Sequence, residues 1–199
     1  MYIFILLALQ DKIRMMRGMR YDKLAPGLSA PHDVNALIEI TKGEGTVKYE
    51  YDISTGFMVV DRIRHSSLLY PINYGCIPNT LSEDGDALDI IVMGDAVQTG
   101  SILPARPVAV LMMEDEKGPD VKILAVPSDR ISPHYKHVQC LADVPQNQIM
   151  LLEHFFKHYK DLESGPGKFS KTFGWEDVDQ ANAYVLDAIE RANHVKAAE

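Results

Sequence analysis

The chain has 199 residues, 46% of them hydrophobic and 24% charged, with 28 acidic side chains against 20 Lys and Arg and a formal charge of -8. That length suits one domain with a sizeable core, two small domains being the lesser alternative. An acidic surplus argues against nucleic acid, which is held mainly by Lys and Arg on phosphates; any phosphate ligand must be met by a few placed cations or by metal ions on carboxylates.

Tyr2–Leu9 is an apolar run too short to span a bilayer, and Arg14, Arg17 and Arg20 follow it rather than precede it as in a secretory signal. Residues 1–20 are therefore set apart as an N-terminal extension. An appendage ahead of a start at Met15, Met16 or Met19 is preferred to a membrane-targeting role, and no membrane partner is expected. Residues 21–199 are expected to form a single domain.

Short β-branched and aromatic segments follow in order: Ala36–Ile40, Thr46–Asp52, Phe57–Arg64, Leu88–Met93, Pro107–Met113 and Val121–Pro127, with turns at Ser54-Thr55-Gly56 and Gly118-Pro119. Strands at this spacing predict a small barrel or sandwich. The period then changes. Asp143-Val144-Pro145-Gln146 resembles a capping box opening a helix with Ile149, Leu152, Phe155, Phe156, Tyr159 and Leu162 on one face, and Gly165 as its stop. A second helix is predicted over Asp177–Asn193, with Ala181, Val185, Ala188, Ile189 and Ala192 aligned. The economical architecture is a barrel flanked by helices. Cys76 and Cys140 are in no metal-ligand spacing and are expected to be buried, reduced thiols of a cytoplasmic protein, a disulfide being the alternative.

The chemistry concentrates in Asp84-Gly85-Asp86-Ala87-Leu88-Asp89, which places three carboxylates in six residues. Such density is unfavourable unless cations sit among the carboxylates, and oxygen-only clusters suit hard divalent ions, Mg²⁺ in particular. A helix–loop–helix calcium site fails, because Leu88 stands at the fifth loop position, Asp89 at the required glycine and Asp95 at the closing Glu. A solvated acidic turn is the bland alternative. Lys48 and Glu50 share one face of a predicted strand, Asp61 and Arg62 interrupt an apolar one, and Asp120 and Lys122 repeat the pairing beside Asp115. With Tyr159-Lys160 at a helix end, this points to a polar site for metals and an anion together, where metal on carboxylates inverts the local field and Lys or Arg neutralises what remains. His154 and His158, one helical turn apart, read as a solvated face, and Met112-Met113 as core filling.

These residues reach a known family. Ile38-Glu39-Ile40, Lys48-Tyr49-Glu50, Val60-Asp61-Arg62, Tyr70-Pro71-Ile72-Asn73-Tyr74-Gly75, the Asp84–Asp89 hexamer, Asp115-Glu116 with Asp120-Val121-Lys122, and His158-Tyr159-Lys160-Asp161 appear in an order and spacing that resembles the family I soluble inorganic pyrophosphatases of bacterial type. The resemblance covers residues 34–193. It implies an α+β, mainly β fold, a five-stranded OB-like closed barrel flanked by two C-terminal helices. It implies Mg²⁺-dependent hydrolysis of pyrophosphate to two phosphates by in-line attack of a metal-bridged hydroxide, with several ions per site. By the same resemblance Asp84, Asp89, Asp115 and Asp120 hold metal and Asp86 is the general base. Tyr74 hydrogen-bonds near the nucleophile, and Lys48, Arg62, Lys122, Tyr159 and Lys160 grip the phosphoryl groups. Glu39 and Glu50 act through metal-bound water, Tyr70 and Asp61 support, and Glu116 is a weaker candidate. The family signature has Pro or Glu where this chain has Ala87, a position that contributes no ligand, so Ala there affects loop stiffness more than chemistry. A cytoplasmic homohexamer is also implied. The competing readings are a non-catalytic barrel that binds anions or single strands, which would need a basic groove, and a nucleotide or polyphosphate hydrolase, for which no Gly-rich phosphate loop is present.

Overall fold

The structure is a computed structural model that describes residues 21–53, 55–163 and 168–198. Residues 1–20, Ser54 and the expected helix stop at Gly165 lie outside the described residues.

Nine strands and two α-helices are present among the described residues: β1 (Val34–Ile40), β2 (Val47–Asp52), β3 (Phe57–Ile63), β4 (Asn73–Cys76), β5 (Asp89–Val92), β6 (Ile102–Asp115), β7 (Gly118–Pro119), β8 (Lys122–Pro127), α1 (Gln146–His158), β9 (Ser170–Asp177) and α2 (Val178–Ala198). Five strands close a ring. β1 pairs with β4, β4 with β5, β5 in parallel with β8, β8 with β6, and the start of β6 returns to β1 through Val34↔Ala105 to Leu37↔Ile102. Closure removes the exposed edges of an open sheet. The expected barrel is therefore present.

β6 makes this possible by its length. Its 14 residues serve β1 near one end, β8 in the middle and β9 from Ala109 onward. Strand alternation sorts the barrel residues between two cores. Ile91 and Leu124 pack in the core that holds Ile149, Leu152, Phe155 and Phe156 of α1. Ile90, Val92, Ile123 and Ala125 pack in the core that holds Ala181, Val185 and Ala188 of α2. β2 and β3 stand apart as a two-stranded ribbon. Its turn is held by Gly56 N–H donating to Asp52 O at 2.8 Å and Thr55 Oγ1 to the Asp52 carboxylate at 2.9 Å.

Five expectations need correcting. β4 falls in a stretch punctuated by Pro71 and Gly75, too short for a strand pattern to register, yet it is a member of the ring. β9 carries mixed polar and aromatic residues, and a register shift at Met112/Met113 sets Gly174 and Thr172 opposite them and leaves Phe173 unpaired and exposed. The capping box at Asp143 does not form; Asp143 instead accepts from the amides of Gln139 and Cys140 at 2.9 and 3.2 Å, and Pro145 caps α1 with no side-chain bond. α1 ends at His158, so Tyr159 is its C-cap and Leu162, beyond it, is exposed. Both cysteines are free, but only Cys76 is buried.

Candidate active site

The barrel, the ribbon, the residues just after α1 and the last turns of α2 together surround a cavity of about 680 Å³. Each element delivers a side chain to it. β1 supplies Glu39 through a bulge: Ile38 pairs with Gly75 and Ile40 with Tyr74, so Glu39 is the extra residue and its side chain is re-aimed. β2 supplies Lys48 and Glu50, and β3 supplies Asp61 and Arg62 across the ribbon. Tyr70 precedes β4 and Tyr74 lies within it; Asp89 opens β5, Asp115 closes β6, Asp120 bridges β7 and β8, and Lys122 opens β8. Tyr159 and Lys160 follow the last turn of α1. Asp84 and Asp86 sit on the tight turn before β5, where Asp86 N–H donates to Asp84 Oδ1 at 3.1 Å and Ser82 N–H to Asp86 O at 2.8 Å. Gly85 takes φ 92° there, a left-handed conformation that a side chain would strain. Every residue that the resemblance assigns to metal, substrate or catalysis lines this one cavity.

Cations and carboxylates alternate around it. Lys122, only 2% exposed, donates to both Asp89 and Asp120, with its Nζ 5.8 Å from the centre of the Tyr74 ring. Lys160 bridges Asp115 at 2.6 Å and Glu116 at 3.3 Å. Lys48 pairs with Glu50 and lies 3.5 Å from Asp61. Arg62 Nε lies 3.5 Å from Asp61 and 3.6 Å from Glu163.

The titration behaviour follows from this packing. Burial, opposed by the Tyr51 amide at 3.1 Å and assisted by the charge of Asp89, pushes the Glu39 carboxyl up to about 8. Burial also raises Asp84, with the neighbouring carboxylates of Asp86 and Asp120 adding to it. Asp120 is raised by burial and by Asp89, against the pull of Lys122. Burial would strip the proton from Lys48 and Lys122, but Glu50 beside the first, and Asp89 and Asp120 beside the second, hold both above the ordinary lysine value. Tyr74 and Tyr159 are pushed well above the ordinary phenol, chiefly by burial, and stay neutral donors.

The donor set fits hard divalent cations. Asp84, Asp89, Asp115 and Asp120 present only oxygen to one cavity, and burial together with the neighbouring carboxylates raises Asp84 and Asp120. As they stand, no three His, Cys, Asp or Glu side chains among the described residues converge tightly enough to hold an ion, and the Lys122 ammonium sits between Asp89 and Asp120. His154 and His158 lie with ring centres 4.7 Å apart and planes tilted by 47°, and His158 pairs with Asp161 at 2.9 Å, away from this cavity.

Sequence reasoning missed several members. Lys117 donates to Asp86 at 2.7 Å, and Lys168 donates to Glu116. The first carried a faint signal, adjacency to Asp115-Glu116; the second is 52 residues from its partner and carried none. Cys76 reaches the cavity through alternation in β4, donating to Glu39 at 3.6 Å.

Fold and site together define a barrel enzyme that receives a compact polyanion among carboxylates and cations. Comparison with known proteins gives the particular kind. The sequence profile of the inorganic pyrophosphatase family matches residues 36–193. The inorganic pyrophosphatase of Caulobacter vibrioides is 47% identical over 176 residues, 88% of this chain and 98% of that one. Among solved structures, the inorganic pyrophosphatase of Thermus thermophilus superposes with a TM-score of 0.82 at 38% identity, covering 87% of this chain and 99% of that one. An inorganic phosphatase from Anaplasma phagocytophilum gives 0.82 at 39% identity, covering 86% and 99%. The chain belongs to the inorganic pyrophosphatase family.

Proposed function

We propose that this chain hydrolyses inorganic pyrophosphate to two phosphates in a Mg²⁺-dependent reaction, with Asp86 as general base. The observation that carries the reading is the convergence of carboxylates, cations and neutral phenols on one cavity. Asp84, Asp89, Asp115 and Asp120 would hold several Mg²⁺ ions, with Glu39 and Glu50 acting through their water. Bound Mg²⁺ supplies neutralisation of phosphate oxygens and acidification of water.

The chain's own groups do the rest. Lys48, Arg62, Lys122 and Lys160 bind the two phosphoryl groups, and Tyr159 donates a neutral hydrogen bond to them. Asp86, with a side chain 65% exposed, is free to approach substrate once Lys117 is displaced, and takes the proton as water attacks one phosphorus in line. A P–O bond forms, the bridging P–O bond breaks, and the departing phosphate is neutralised by the lysines and Arg62. Tyr74 orients the attack, while Tyr70 and Asp61 support the wall and Lys48. Most of the acceleration then comes from positioning and preorganised charge.

The same reading makes residues 21–199 one catalytic domain with residues 1–20 appended, and the enzyme a cytoplasmic homohexamer with no nucleic-acid or membrane partner. No helix among the described residues is long and apolar enough to cross a membrane. Phosphate release from pyrophosphate, with and without Mg²⁺ and beside ATP as control, tests the activity. Release from pyrophosphate alone and only with Mg²⁺ is expected; a folded, Mg²⁺-loaded sample that releases none refutes it. Light scattering across concentrations tests the assembly, and a monomer throughout removes the hexamer.

A further inference from the structure

Arg64, the residue after β3, is only 4% exposed, yet its Nε has no hydrogen-bond partner and it makes no ion pair among the described residues. Taking a guanidinium out of water without a carboxylate is costly, and an apolar side chain would fill the same space without that cost. Its partners explain the expense. Nη1 donates to Gly45 O at 3.0 Å and Nη2 to Tyr159 O at 3.0 Å. Tyr159 is the C-cap of α1, so the second bond neutralises the negative end of that helix. The guanidinium carbon also lies 5.1, 5.6 and 5.8 Å from the ring centres of Tyr70, Tyr159 and Phe155.

Gly45 belongs to a segment already tied to Tyr70, through Tyr70 N–H to Glu44 O at 2.7 Å and Gly43 N–H to Tyr70 O at 2.8 Å. The space is full: a Cβ on Gly45 would come within 2.8 Å of Tyr70 Cδ2 and 3.1 Å of Arg64 Nη1. Arg64 thus gathers three separate pieces of chain behind the cavity, while Tyr70, Tyr159 and the adjoining Lys160 line its front. An aliphatic side chain could fill the space but could not bond both carbonyls at once.

We propose that Arg64 is a positioning residue for the pyrophosphate site, a buried guanidinium that fixes Tyr70, Tyr159 and Lys160 as one phosphate-binding wall. The proposal rests on the assignment of Tyr159 and Lys160 to phosphate binding. Asp86 lies on a turn that Arg64 does not touch, so loss of Arg64 weakens the grip on phosphate more than the chemical step.

The test compares wild type, Arg64→Met and Arg64→Lys, each with Mg²⁺ and well below its own melting temperature. Two readouts are taken: the KM-against-kcat split for pyrophosphate, and calorimetric titration with inorganic phosphate. Arg64→Met is expected to raise KM about tenfold and weaken phosphate similarly, with kcat changed less than about threefold. Arg64→Lys, which keeps the charge but reaches one carbonyl at a time, should fall between. A merely structural role would lower the melting temperature and leave KM and phosphate affinity of the folded protein unchanged, and that overturns the proposal. Should Arg64→Met not fold, Arg64→Lys decides by the same two readouts; if neither folds, the residue serves the fold and the proposal is overturned. A wild type that binds phosphate without hydrolysing pyrophosphate sinks the proposed activity instead, and the phosphate titrations still decide Arg64.

Discussion

At the scale of single residues, two carboxylates on neighbouring turns illustrate different uses of a lysine partner. Asp86 is exposed and its carboxylate pairs with Lys117 alone among the described residues, an arrangement that a substrate can displace, whereas Glu116 is gripped by Lys168 and Lys160. Asp86→Asn should therefore fold as the wild type and lose roughly 10²- to 10⁴-fold in kcat. Matching circular dichroism and melting curves with near-normal turnover would remove Asp86 from the role of base. For Glu116, partial burial works against ionisation, but the Lys168 hydrogen bond, with help from Lys160, brings its carboxyl down to about 2. A depressed native value means that the stabilisation is complete above the ordinary carboxylate range near 4.5 and is lost as pH falls toward about 2. The melting-temperature gap between wild type and Glu116→Gln should shrink across that window, and a gap independent of pH would contradict the pairing.

Elements show how strands aim side chains. The bulge in β1 turns Glu39 into the cavity, and it sits opposite Gly75, whose lack of a side chain lets β4 approach β1. A Cβ on Gly75 would stand 1.8 Å from Leu37 O, a backbone atom with nowhere to go. Gly75→Ala is expected to open the β1–β4 pairing and cost about 1–3 kcal/mol or more, read as a lower urea midpoint, with Glu39 and Tyr74 displaced together. A wild-type midpoint would mean that the strands adjust without strain. β1 and β8, which β6 joins, were visible as apolar segments, but which strands they pair with was not. β5 pairs in parallel with β8, some 30 residues later, and nothing local in Asp89–Val92 announces it.

For the whole molecule, the carboxylate-lined cavity predicts linkage between metal binding and stability. A cation that binds only the native state adds about 2.7 kcal/mol at 100 times its Kd, so Mg²⁺ should raise the melting temperature and a chelator reverse the gain. The gain should vanish in Asp84→Asn/Asp89→Asn; a double variant that keeps it would place the stabilising ions elsewhere. This assembly also explains why no single segment looks like a site. Glu39, Lys48, Asp89, Asp120 and Lys160 come from β1, β2, β5, the β7–β8 junction and the end of α1, and only closure of the barrel puts them around one volume.

The sequence alone determined the class of chemistry. Asp84-Gly85-Asp86 crowds carboxylates whose repulsion a cation relieves, and the alternation that turns Lys48 and Glu50 the same way is a property of any strand. Helix periodicity likewise revealed the buried faces of α1 and α2, because 3.6-residue spacing is local. Tertiary structure decided what depends on distant partners. β4 and β9 became strands only because β1 and β6 offered them free backbone groups, the Asp143 cap was taken by Gln139 and Cys140, and Lys168 found Glu116 across the cavity. Arg64 gives the sharpest contrast. In the sequence it is only the last residue of the segment Phe57–Arg64, and the meeting of Gly45, Tyr70 and the end of α1 makes a buried place for its charge.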